Sequence, residues 1–541
     1  MGGVRLGLYV FGVNIMEKLG LIDHLMYMAD RHNIAPLIMS GAMVLGPSGD
    51  EEHLDADKIA EHLAARMQKI PMLRKRFVQD PLHLGSVKKV DEPDFDVWDH
   101  VDVIHLPSPG NYDQLCAAVA AYANQPFGLQ EVFEFLIIGG VEGGRLALAS
   151  KIHHAFVDGI GAAELMKSVF DEQPVPLEKV RGRGRHRSAS VPTAFKLTLD
   201  AIGENLDRVF RKLPSVVYKT APSAYASLST VVKNRLSGTG EAQDKKADDR
   251  PECKPTSLNH IANDRGFRTL SYKVFSLNEL KAMAKQFECT VNDLALVLFS
   301  RALERYFEST GENIDFDLVV AMPISLRGTS QVSGGNQITA AFIALHNTEP
   351  DLLKRLKKIN TETRKAKSDM RPENPGNAVE MEELAELIPP PIIDLALYIA
   401  DKGRLMDRMA SKLAFLNAFL TNVPGYPVTT YLGNAQLEYG IPMIPAVPML
   451  ALSPGVTSSG DTFVFGFNCD GSVVSDAQVL VEGLNRGLSE LRALANSEVK
   501  SQAKNRTRPS KRQKVTRVTA GNRRKTSKPK NATHRRPVKT R

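Results

Sequence analysis

The chain has 541 residues, more than one ordinary hydrophobic core supports, so we expect two domains with accessory segments. Apolar residues make up 43% of it and charged residues 24%, and no segment approaches the roughly 20 consecutive apolar residues of a membrane-spanning helix, which argues against an integral membrane protein. The net charge of +8 is misleading: from residue 500 onward the chain holds 17 Lys and Arg and no acid, and the remaining 52 basic and 61 acidic residues give the body a net charge of −9.

The opening segment, "MGGVRLGLYVFGVNI" (1–15), is apolar but short. It lacks a small-residue cleavage site, so we interpret it as an extension or a first strand rather than a signal peptide. The four cysteines are far apart and form no CxxC pair, which is typical of a reducing cytoplasm and argues against a disulfide framework or a zinc site. They are Cys116, Cys253, Cys289 and Cys469.

Residues 145–170 predict a strand that leads into a helix. "RLALASKI" (145–152) places its large apolar residues on one side of a strand. "GAAELMKSVF" (161–170) has apolar residues at helical spacing. Gly159 and Gly161 ease the turn between the two elements.

This junction carries the pattern HHxxxDG, formed by His153, His154, Asp158 and Gly159. Neighbouring strand residues point to opposite faces, so the two histidines are expected to have different roles. One would face the packed interior or hold the turn, and the other would face the space beyond the strand end. In a purely structural interpretation Asp158 caps the helix and one histidine is a core residue. Four fixed residues are rare by chance, which favours a functional interpretation.

The composition of the middle of the chain predicts a linker region between two halves. "VRGRGRHRSAS" (180–190) has the composition of a linker, and "SGTGEAQDKKADDRPECKP" (237–255) is polar and expected to be mobile. Between them an apolar stripe at helical spacing ends at Pro214. Its members are Phe195, Leu199, Ile202, Leu206, Phe210 and Leu213. Such a helix packs on the body or lies at a lipid surface; we expect the first, since apolar stripes are usually core.

Two further segments are informative. "TVND" fits a capping box, with Thr290 as the N-cap residue and Asp293 three positions later at the start of a helix. The C-terminal tail has almost no apolar periodicity and is expected to be disordered. It would bind anionic lipid headgroups or nucleic acid, or act as a non-specific solubilising polycation; without an aromatic residue it is poorly suited to stacking on bases.

HHxxxDG is the signature of the chloramphenicol-acetyltransferase-like, CoA-dependent acyltransferase superfamily. The chain resembles in particular the bacterial wax ester synthase/acyl-CoA:diacylglycerol acyltransferase family, over about residues 16–490. The matching segments occur in family order and are "LGLIDHLMYMADRHNIAPLIMSGAMVL", "IPMLRKRFV" (70–78), "EGGRLALASKIHHAFVDGIGA", "TVNDLALVLFSRALERYF" (290–307), "AMPISLRG" (321–328), "GGNQI" (334–338) and "TNVPGYP" (421–427). One departure is "LQEVFEF" (129–135), where the family usually has a stretch like Arg-Pro-Leu-Trp-Glu.

The resemblance implies an α/β fold of mixed sheets with helices, in which two chloramphenicol-acetyltransferase-like subdomains surround a central channel. The expected divisions are an N-terminal extension (1–15), an N-terminal acyltransferase subdomain (16–178), a linker with an amphipathic helix (179–255), a C-terminal acyltransferase subdomain (256–495) and a disordered basic tail (496–541).

The resemblance also implies residue roles. His154 would be the general base that deprotonates an acceptor hydroxyl, a task suited to a neutral imidazole, and His153 would support it. Asp158 would be structural and pair with an arginine, for which Arg74 is the candidate and Arg76 the alternative. Asn292 is a candidate oxyanion donor.

The remaining expectations concern supporting residues and cofactors. Gly159, Arg74 and Asp293 would be structural, and for three polar residues of other matching segments a structural hydrogen bond is expected rather than catalysis. Those three are Arg327, Asn336 and Asn422. We find no metal constellation and no nucleotide-binding loop, so no bound cofactor is expected, with acyl-CoA as a co-substrate.

The function implied is acyl-CoA-dependent formation of triacylglycerol or wax ester, with diacylglycerol or a long-chain alcohol as acceptor. The enzyme would be cytoplasmic and peripherally associated with a membrane or with lipid inclusions. Two alternatives remain: a condensation-type acyltransferase with another acceptor, and a catalytically silent protein that binds lipid surfaces.

Overall fold

The fold is described from a computed structural model of the chain. The residues that the structure describes are 16–32, 38–49, 52–128, 130–156, 165, 168–180, 186–187, 191–208, 210, 251–259, 267–325, 338–369, 388–402, 416–426, 428–445 and 449–506. Two compact units are present, Met1–Ala493 and Leu494–Arg541. All the sheets of the described residues lie in the first unit, and the described part of the second is the C-terminal end of one helix.

Helices and strands alternate along the chain. The helices described are α1 (Leu21–Arg31), α2 (Ala56–Met67), α3 (Tyr112–Asn124), α4 (Ala194–Asp207), α5 (Leu277–Gln286), α6 (Val291–Thr310), α7 (Leu352–Asp369), α8 (Pro390–Lys402) and α9 (Gln478–Arg506). The strands are β1 (Glu17–Lys18), β2 (Ile38–Pro47), β3 (Lys75–Val78), β4 (Lys88–Asp91), β5 (Asp94–Phe95), β6 (Val101–His105), β7 (Phe133–Val141), β8 (Arg145–His153), β9 (His186–Arg187), β10 (Arg268–Ser276), β11 (Val319–Ser325), β12 (Ile338–Ala344), β13 (Ala418–Phe419), β14 (Thr421–Pro424), β15 (Tyr431–Leu432), β16 (Ala435–Met443), β17 (Leu452–Ser459) and β18 (Thr462–Asp470). This mixture of sheets and helices confirms the predicted fold class.

The largest sheet of the described chain has six strands in the order β15-β16-β2-β8-β7-β6. Only β6 and β7 pair in parallel; the other pairs are antiparallel. Four of its strands come from the N-terminal half, whereas β15 and β16 come from the C-terminal half. The predicted divisions of the chain remain predictions. The strands β15 and β16 of the C-terminal half nevertheless belong to the same sheet as the strands of the N-terminal half.

The strand β8 lies inside this sheet, between β2 and β7, and both of its faces are covered. Leu146, Leu148 and Ile152 belong to a core that also contains buried residues of α2, whereas Ala147 and Ala149 belong to a second core with residues of α3. The predicted strand at 145–152 is therefore confirmed, together with its predicted sidedness. Burial on both faces explains why residues 146–149 are uniformly apolar.

The tight turn between β7 and β8 depends on glycine. Gly144 has φ +70°, and a Cβ atom built on it would lie 2.0 Å from the carbonyl oxygen of Glu52. No other residue type fits both the backbone conformation and this close approach. The turn fixes the hairpin that delivers His153 to the end of β8.

The C-terminal half contributes two further sheets and a central buried helix. The sheets have the strand orders β10-β18-β17-β14 and β12-β11-β13. Most side chains of α6 between Asp293 and Phe307 are buried, and Gly483 of α9 allows close approach to α6, since its Cβ would lie 2.5 Å from the carbonyl oxygen of Arg301. The helix α6 is thus packed tightly against α9 around Arg301.

The helix α4 corrects one expectation. A helix is present where the apolar stripe predicts it, and it packs on the body, but through the opposite face. Leu197 and Ala201 are buried, whereas the described members of the stripe are exposed. Those are Phe195, Leu199, Ile202, Leu206 and Phe210; Leu213 and Pro214 lie outside the described residues. The prediction that the stripe faces the core is wrong because ion pairs and hydrogen bonds, described below, hold the polar face inward.

Other expectations have mixed outcomes. The four cysteines are free, as expected. The helix α9 continues past residue 496 to Arg506, so the expected disorder does not begin at 496; lysine, glutamine and alanine in this stretch are good helix formers. Residues 1–15 and 507–541 lie outside the described chain.

Candidate active site

The two histidines of the HHxxxDG pattern lie at the end of β8. The strand ends at His153, whose register partner in β2 is Ile38, and His154 is the first residue of the turn that follows. The backbone amide of Phe156 donates to the carbonyl oxygen of His153 at 2.8 Å, which closes this turn. The different environments predicted for neighbouring residues are observed here.

His153 is completely buried. Its Nδ1 atom accepts a hydrogen bond from the backbone amide of Ala155 at 3.1 Å, so the ring proton belongs on Nε2, which lies 3.5 Å from Oδ2 of Asp30. The rings of Tyr27 and Phe77 pack around it, with centroids 5.7 and 5.2 Å away. His153 therefore holds the turn and is inaccessible to a substrate.

His154 is only half-buried, and its environment favours the neutral imidazole. Burial lowers its pKa below the ordinary value, and His153 lowers it further. The backbone carbonyl of His154 itself and the carboxylate of Asp23 raise the pKa, but not enough to reverse the shift. Its Nδ1 atom is buried and has no hydrogen-bond partner within the described chain. A neutral imidazole at the end of a rigid strand is suited to accept a proton.

The two acidic residues beside the histidines both come from α1. Asp23 and Asp30 are seven positions apart, two helical turns, and so project from the same side of the helix. The sequence pattern indicated neither of them, because their proximity to β8 depends on how α1 packs. The i, i+7 spacing of the two acids is the sequence feature that is consistent with this placement, but it does not predict which element they face.

Of the expected ion pair between Asp158 and an arginine, the structure describes only the arginine candidates. Asp158 and Gly159 lie outside the described residues. Arg74 ends the short 3-10 helix Pro71–Arg74, and its Nε atom is buried with no hydrogen-bond partner among the described groups. For the alternative, Arg76, the Nη1 atom lies 4.0 Å from Oε1 of Glu92. The pairing of Arg74 with Asp158 remains a prediction.

The capping box at the start of α6 is confirmed. The backbone amide and the hydroxyl of Thr290 each donate to Oδ2 of Asp293 at 2.8 Å, and the amide of Asp293 donates to Oγ1 of Thr290 at 3.2 Å. The side chains of Asn360 and Thr363 also donate to this carboxylate, both at 2.7 Å. Burial alone would raise the pKa of Asp293, but the hydrogen bonds, led by that from Thr363, hold it below its ordinary value.

The side chain of Asn292, next to this cap, contacts Asn422 in "TNVPGYP", another of the segments that resemble the family. Its Oδ1 atom accepts a hydrogen bond from Nδ2 of Asn422 at 2.8 Å. This contact orients the Asn292 amide and leaves its NH₂ group free to donate elsewhere. The expected structural hydrogen bond of Asn422 is therefore present, and its partner is the candidate oxyanion donor.

Residues 421–426 contact one residue of each half of the chain. At one end Asn422 contacts Asn292; at the other the ring of Tyr426 lies 5.7 Å from that of Phe170, which follows the HHxxxDG stretch. Asn422 and Tyr426 are four residues apart, at most about 14 Å, so one short segment contacts both Asn292 and Phe170. The hydroxyl of Tyr426 is buried and makes no hydrogen bond within the described part of the chain, a polar group that the sequence did not single out.

Three other observations concern metal binding, membrane-spanning helices and the remaining predicted residues. Among the described residues, no group of three or more His, Cys, Asp and Glu side chains is arranged to hold a metal ion. No described helix combines the length and the apolar character needed to cross a membrane. Arg327 and Asn336 lie outside the described residues.

Comparison with known proteins identifies related chains. One family model, the wax ester synthase/diacylglycerol acyltransferase catalytic domain, matches residues 19–295, and the C-terminal domain model of the same family matches residues 334–492. A putative diacylglycerol O-acyltransferase of Mycobacterium tuberculosis is 25% identical over 488 residues, 89% of this chain and 98% of the relative. The probable diacylglycerol O-acyltransferase tgs1 of the same organism is 26% identical over 470 residues, 86% of this chain and 93% of the relative.

A solved structure supports the fold. The wax ester synthase/diacylglycerol acyltransferase from Marinobacter aquaeolei VT8 matches with a TM-score of 0.62 at 21% identity, over 89% of this chain and all of that chain. The catalytic-domain model alone covers more than half of the present sequence, and it includes both histidines and Asn292. The chain therefore belongs to the wax ester synthase/diacylglycerol acyltransferase family and is an O-acyltransferase.

Proposed function

We propose that His154 is the general base of an acyl transfer from acyl-CoA to an alcohol. Its imidazole removes the proton of the acceptor hydroxyl as the oxygen attacks the thioester carbonyl. The tetrahedral intermediate collapses with cleavage of the carbon–sulfur bond, and the proton held on His154 passes to the CoA thiolate. The products are an ester and CoA. The observation that supports this role most is the position of a half-buried imidazole at the end of β8, where burial lowers its pKa.

Asn292 is the proposed donor to the oxyanion of that intermediate. Its Oδ1 atom is occupied by the hydrogen bond from Asn422, so its NH₂ group is the part of the amide directed to other partners. A donor fixed before the reaction stabilises developing charge without reorganisation, and loss of one such donor typically costs about 10²–10³ in kcat. Asn422 is then a positioning residue.

Three further residues have supporting roles in this proposal. His153, fixed by Ala155 and Asp30, holds the turn that carries the base. Asp158 and Arg74 form a structural ion pair below the turn, and Gly159 gives the turn its backbone freedom. Removing one member of a buried pair leaves an uncompensated charge, so Asp158→Ala would impair folding as much as catalysis.

The proposed substrates are acyl-CoA and either diacylglycerol or a long-chain alcohol, which yield triacylglycerol or wax ester. The mycobacterial relatives are named diacylglycerol O-acyltransferases, which favours diacylglycerol. No cofactor takes part in the proposed chemistry. Because both acceptors are insoluble in water, we propose that the enzyme is cytoplasmic and peripherally bound to a membrane or to lipid inclusions, and that the basic tail binds anionic lipid.

The test is CoA release from palmitoyl-CoA by the purified full-length chain, with diacylglycerol and hexadecanol offered separately. His154→Ala is expected to lower the rate by about 10²–10⁴ with either acceptor. His105→Ala, a histidine change in β6 outside the site, is the matched control and should keep full activity. Unchanged turnover in His154→Ala would refute the mechanism, and no turnover with either acceptor would favour a silent lipid-binding protein.

A further inference from the structure

The helix α4 presents an apolar face to the outside. Its stripe residues are between 43% and 73% exposed, although each is large and apolar. They are Phe195, Leu199, Ile202, Leu206 and Phe210. Singly exposed apolar residues are ordinary on protein surfaces, but an aligned stripe of this size marks a surface that contacts something apolar.

The orientation of α4 is fixed by its polar face. Glu204 forms ion pairs with Lys88 at 3.1 Å and Lys18 at 3.2 Å, and Lys88 is itself almost fully buried. Asp200 lies 3.7 Å from the same lysine. These carboxylates are therefore matched by cations of the body, and turning the helix to bury its stripe would break the ion pairs.

Further hydrogen bonds add to this attachment. Asn205 donates to the carbonyl oxygen of Leu84 at 2.9 Å, and Arg208 donates to Oγ of Ser86 at 3.0 Å. A Cβ on Gly85 would lie 2.7 Å from the Cβ of Ala201, so the helix rests directly on this loop. The polar side of α4 is the buried side, which is the reverse of a core helix.

The helix α8 has the same arrangement. Its outward residues lie at helical spacing and are between 49% and 58% exposed. They are Ile392, Leu395, Tyr398 and Ile399, and the exposed Ile388 lies just before the helix. Its Asp394 is turned inward, where His32 hydrogen-bonds to it and Nη1 of Arg31 lies 3.5 Å away.

Both helices are attached to one support, formed by α1 and the loop from Gln79 to Val87. Arg31 of α1 contacts Asp394 of α8 and, at 3.5 Å, the side chain of Gln79 in that loop, while α4 packs on Leu84 to Ser86. The loop exposes Leu82, at 66%. Two segments nearly two hundred residues apart in sequence thus present apolar stripes from the same region.

We propose that α4 and α8 form a lipid-binding surface, with their stripes inserted into the headgroup region of a phospholipid membrane. The charges favour this occupant: Lys196 of α4 and Lys402 of α8 are exposed, whereas Asp200, Glu204 and Asp394 pair with cations of the body. The remaining acids of the two helices, Asp207 and Asp401, are half-buried, and Asp401 pairs with Lys402 at 3.6 Å. An apolar face with flanking lysines is typical of helices that lie in a membrane interface. The inference rests on the peripheral association proposed above and names the residues that produce it.

The test is flotation of the full-length chain with vesicles of phosphatidylcholine and phosphatidylglycerol. Leu199→Glu/Leu206→Glu places two charges on the α4 stripe, and Ile392→Glu/Ile399→Glu does the same on α8. Each double variant is expected to lower the vesicle partition coefficient at least about tenfold, because half-exposed leucine and isoleucine side chains lose their apolar contact and carboxylates enter the interface.

The matched control is Ile104→Glu/Phe267→Glu, which puts two glutamates on comparably exposed apolar residues of other elements. This control should float like the wild type. Activity on detergent-dispersed hexadecanol, which needs no membrane binding, should be kept in all three variants. If the wild type floats with the vesicles but releases no CoA, the result counts against the proposed chemistry and not against the lipid-binding surface.

Four outcomes would overturn the inference. The wild type fails to float, or the stripe variants float as well as it does. A fall in oligomer mass in the stripe variants, measured by light scattering, identifies the stripes as a contact between copies of the chain. A lowered thermal midpoint, with no such loss in the control, shows that the stripes are covered within the chain.

Discussion

Asp293 and Asn292 are neighbours with opposite expected roles, and substituting each separates the two. The Asp293 carboxylate is 1% exposed and accepts four hydrogen bonds, from the amide and hydroxyl of Thr290 and from the side chains of Asn360 and Thr363. Replacing it should destabilise the fold. Replacing Asn292, which makes one exposed contact with Asn422, should lower catalysis instead.

The magnitude follows from the hydrogen bonds of Asp293. Asp293→Ala removes one half of the capping box, worth about 1 kcal/mol, and takes the carboxylate acceptor away from the side chains of Asn360 and Thr363, at about 1–3 kcal/mol each. Because such losses are not additive, we expect the free energy of unfolding to fall by about 3–5 kcal/mol. Asp293→Asn keeps an oxygen toward Thr290 and Asn360, and the Thr363 hydroxyl can reverse to accept, so only charge assistance is lost, about 1–2 kcal/mol.

The assay is urea unfolding of the wild type, Asp293→Ala, Asp293→Asn and the control Asn292→Ala. The midpoints should fall in the order wild type and Asn292→Ala, then Asp293→Asn, then Asp293→Ala. The contribution of Asp293 has a predictable pH dependence, because its pKa is depressed in the fold: it is present above the ordinary value of 3.8 and is lost as the pH falls through the lower folded value. Equal midpoints for all four proteins would refute this reasoning, as would an Asn292→Ala variant as unstable as Asp293→Ala.

Two further outcomes are expected. The acid limb of the pH profile of kcat/KM should lie below pH 6.5, because the lowered pKa of His154 keeps the base neutral until the pH falls through that value; a limb above 6.5 would contradict the assignment. Asn422→Ala should lower kcat about tenfold with little change in KM or in the thermal midpoint, since it frees the Asn292 amide without emptying the core; an altered KM alone would show that Asn422 contributes to binding instead.

The local structure of the site was largely predictable, because short-range rules decide it. Alternation of apolar residues predicts β8, and the spacing of Thr290 and Asp293 predicts the capping box; both are confirmed. The different environments of His153 and His154 follow from strand geometry alone. In each case the residues that determine the outcome lie within a few positions of one another.

The long-range contacts were not predictable by such rules. Asp30 meets His153 across more than a hundred residues, and Asn422 meets Asn292 at a similar separation. A single sequence gives residue types and spacing, whereas these pairs depend on how α1 and β14 pack. The family resemblance names regions that belong together but not the atoms that touch.

The error at α4 has a physical cause. An amphipathic pattern states that one face is apolar and the other polar, but not which of them meets the protein. The assumption that the apolar face is buried holds when the body offers an apolar site. Here the body offers Lys18 and Lys88, which bind the acidic face instead.

The pairing of β16 with β2 in the six-stranded sheet affects how the chain folds during its synthesis on the ribosome. Until residues 435–443 have been translated, β2 remains at the edge of its sheet with unpaired backbone groups. The N-terminal half therefore cannot complete its fold as it emerges, unlike a self-contained domain. Its exposed edge must be kept from other chains for about the time needed to add the residues between the end of β8 at His153 and the start of β16 at Ala435, at roughly 5–20 residues per second. A fragment that stops before β16 would carry both histidines and still lack a finished sheet to hold them.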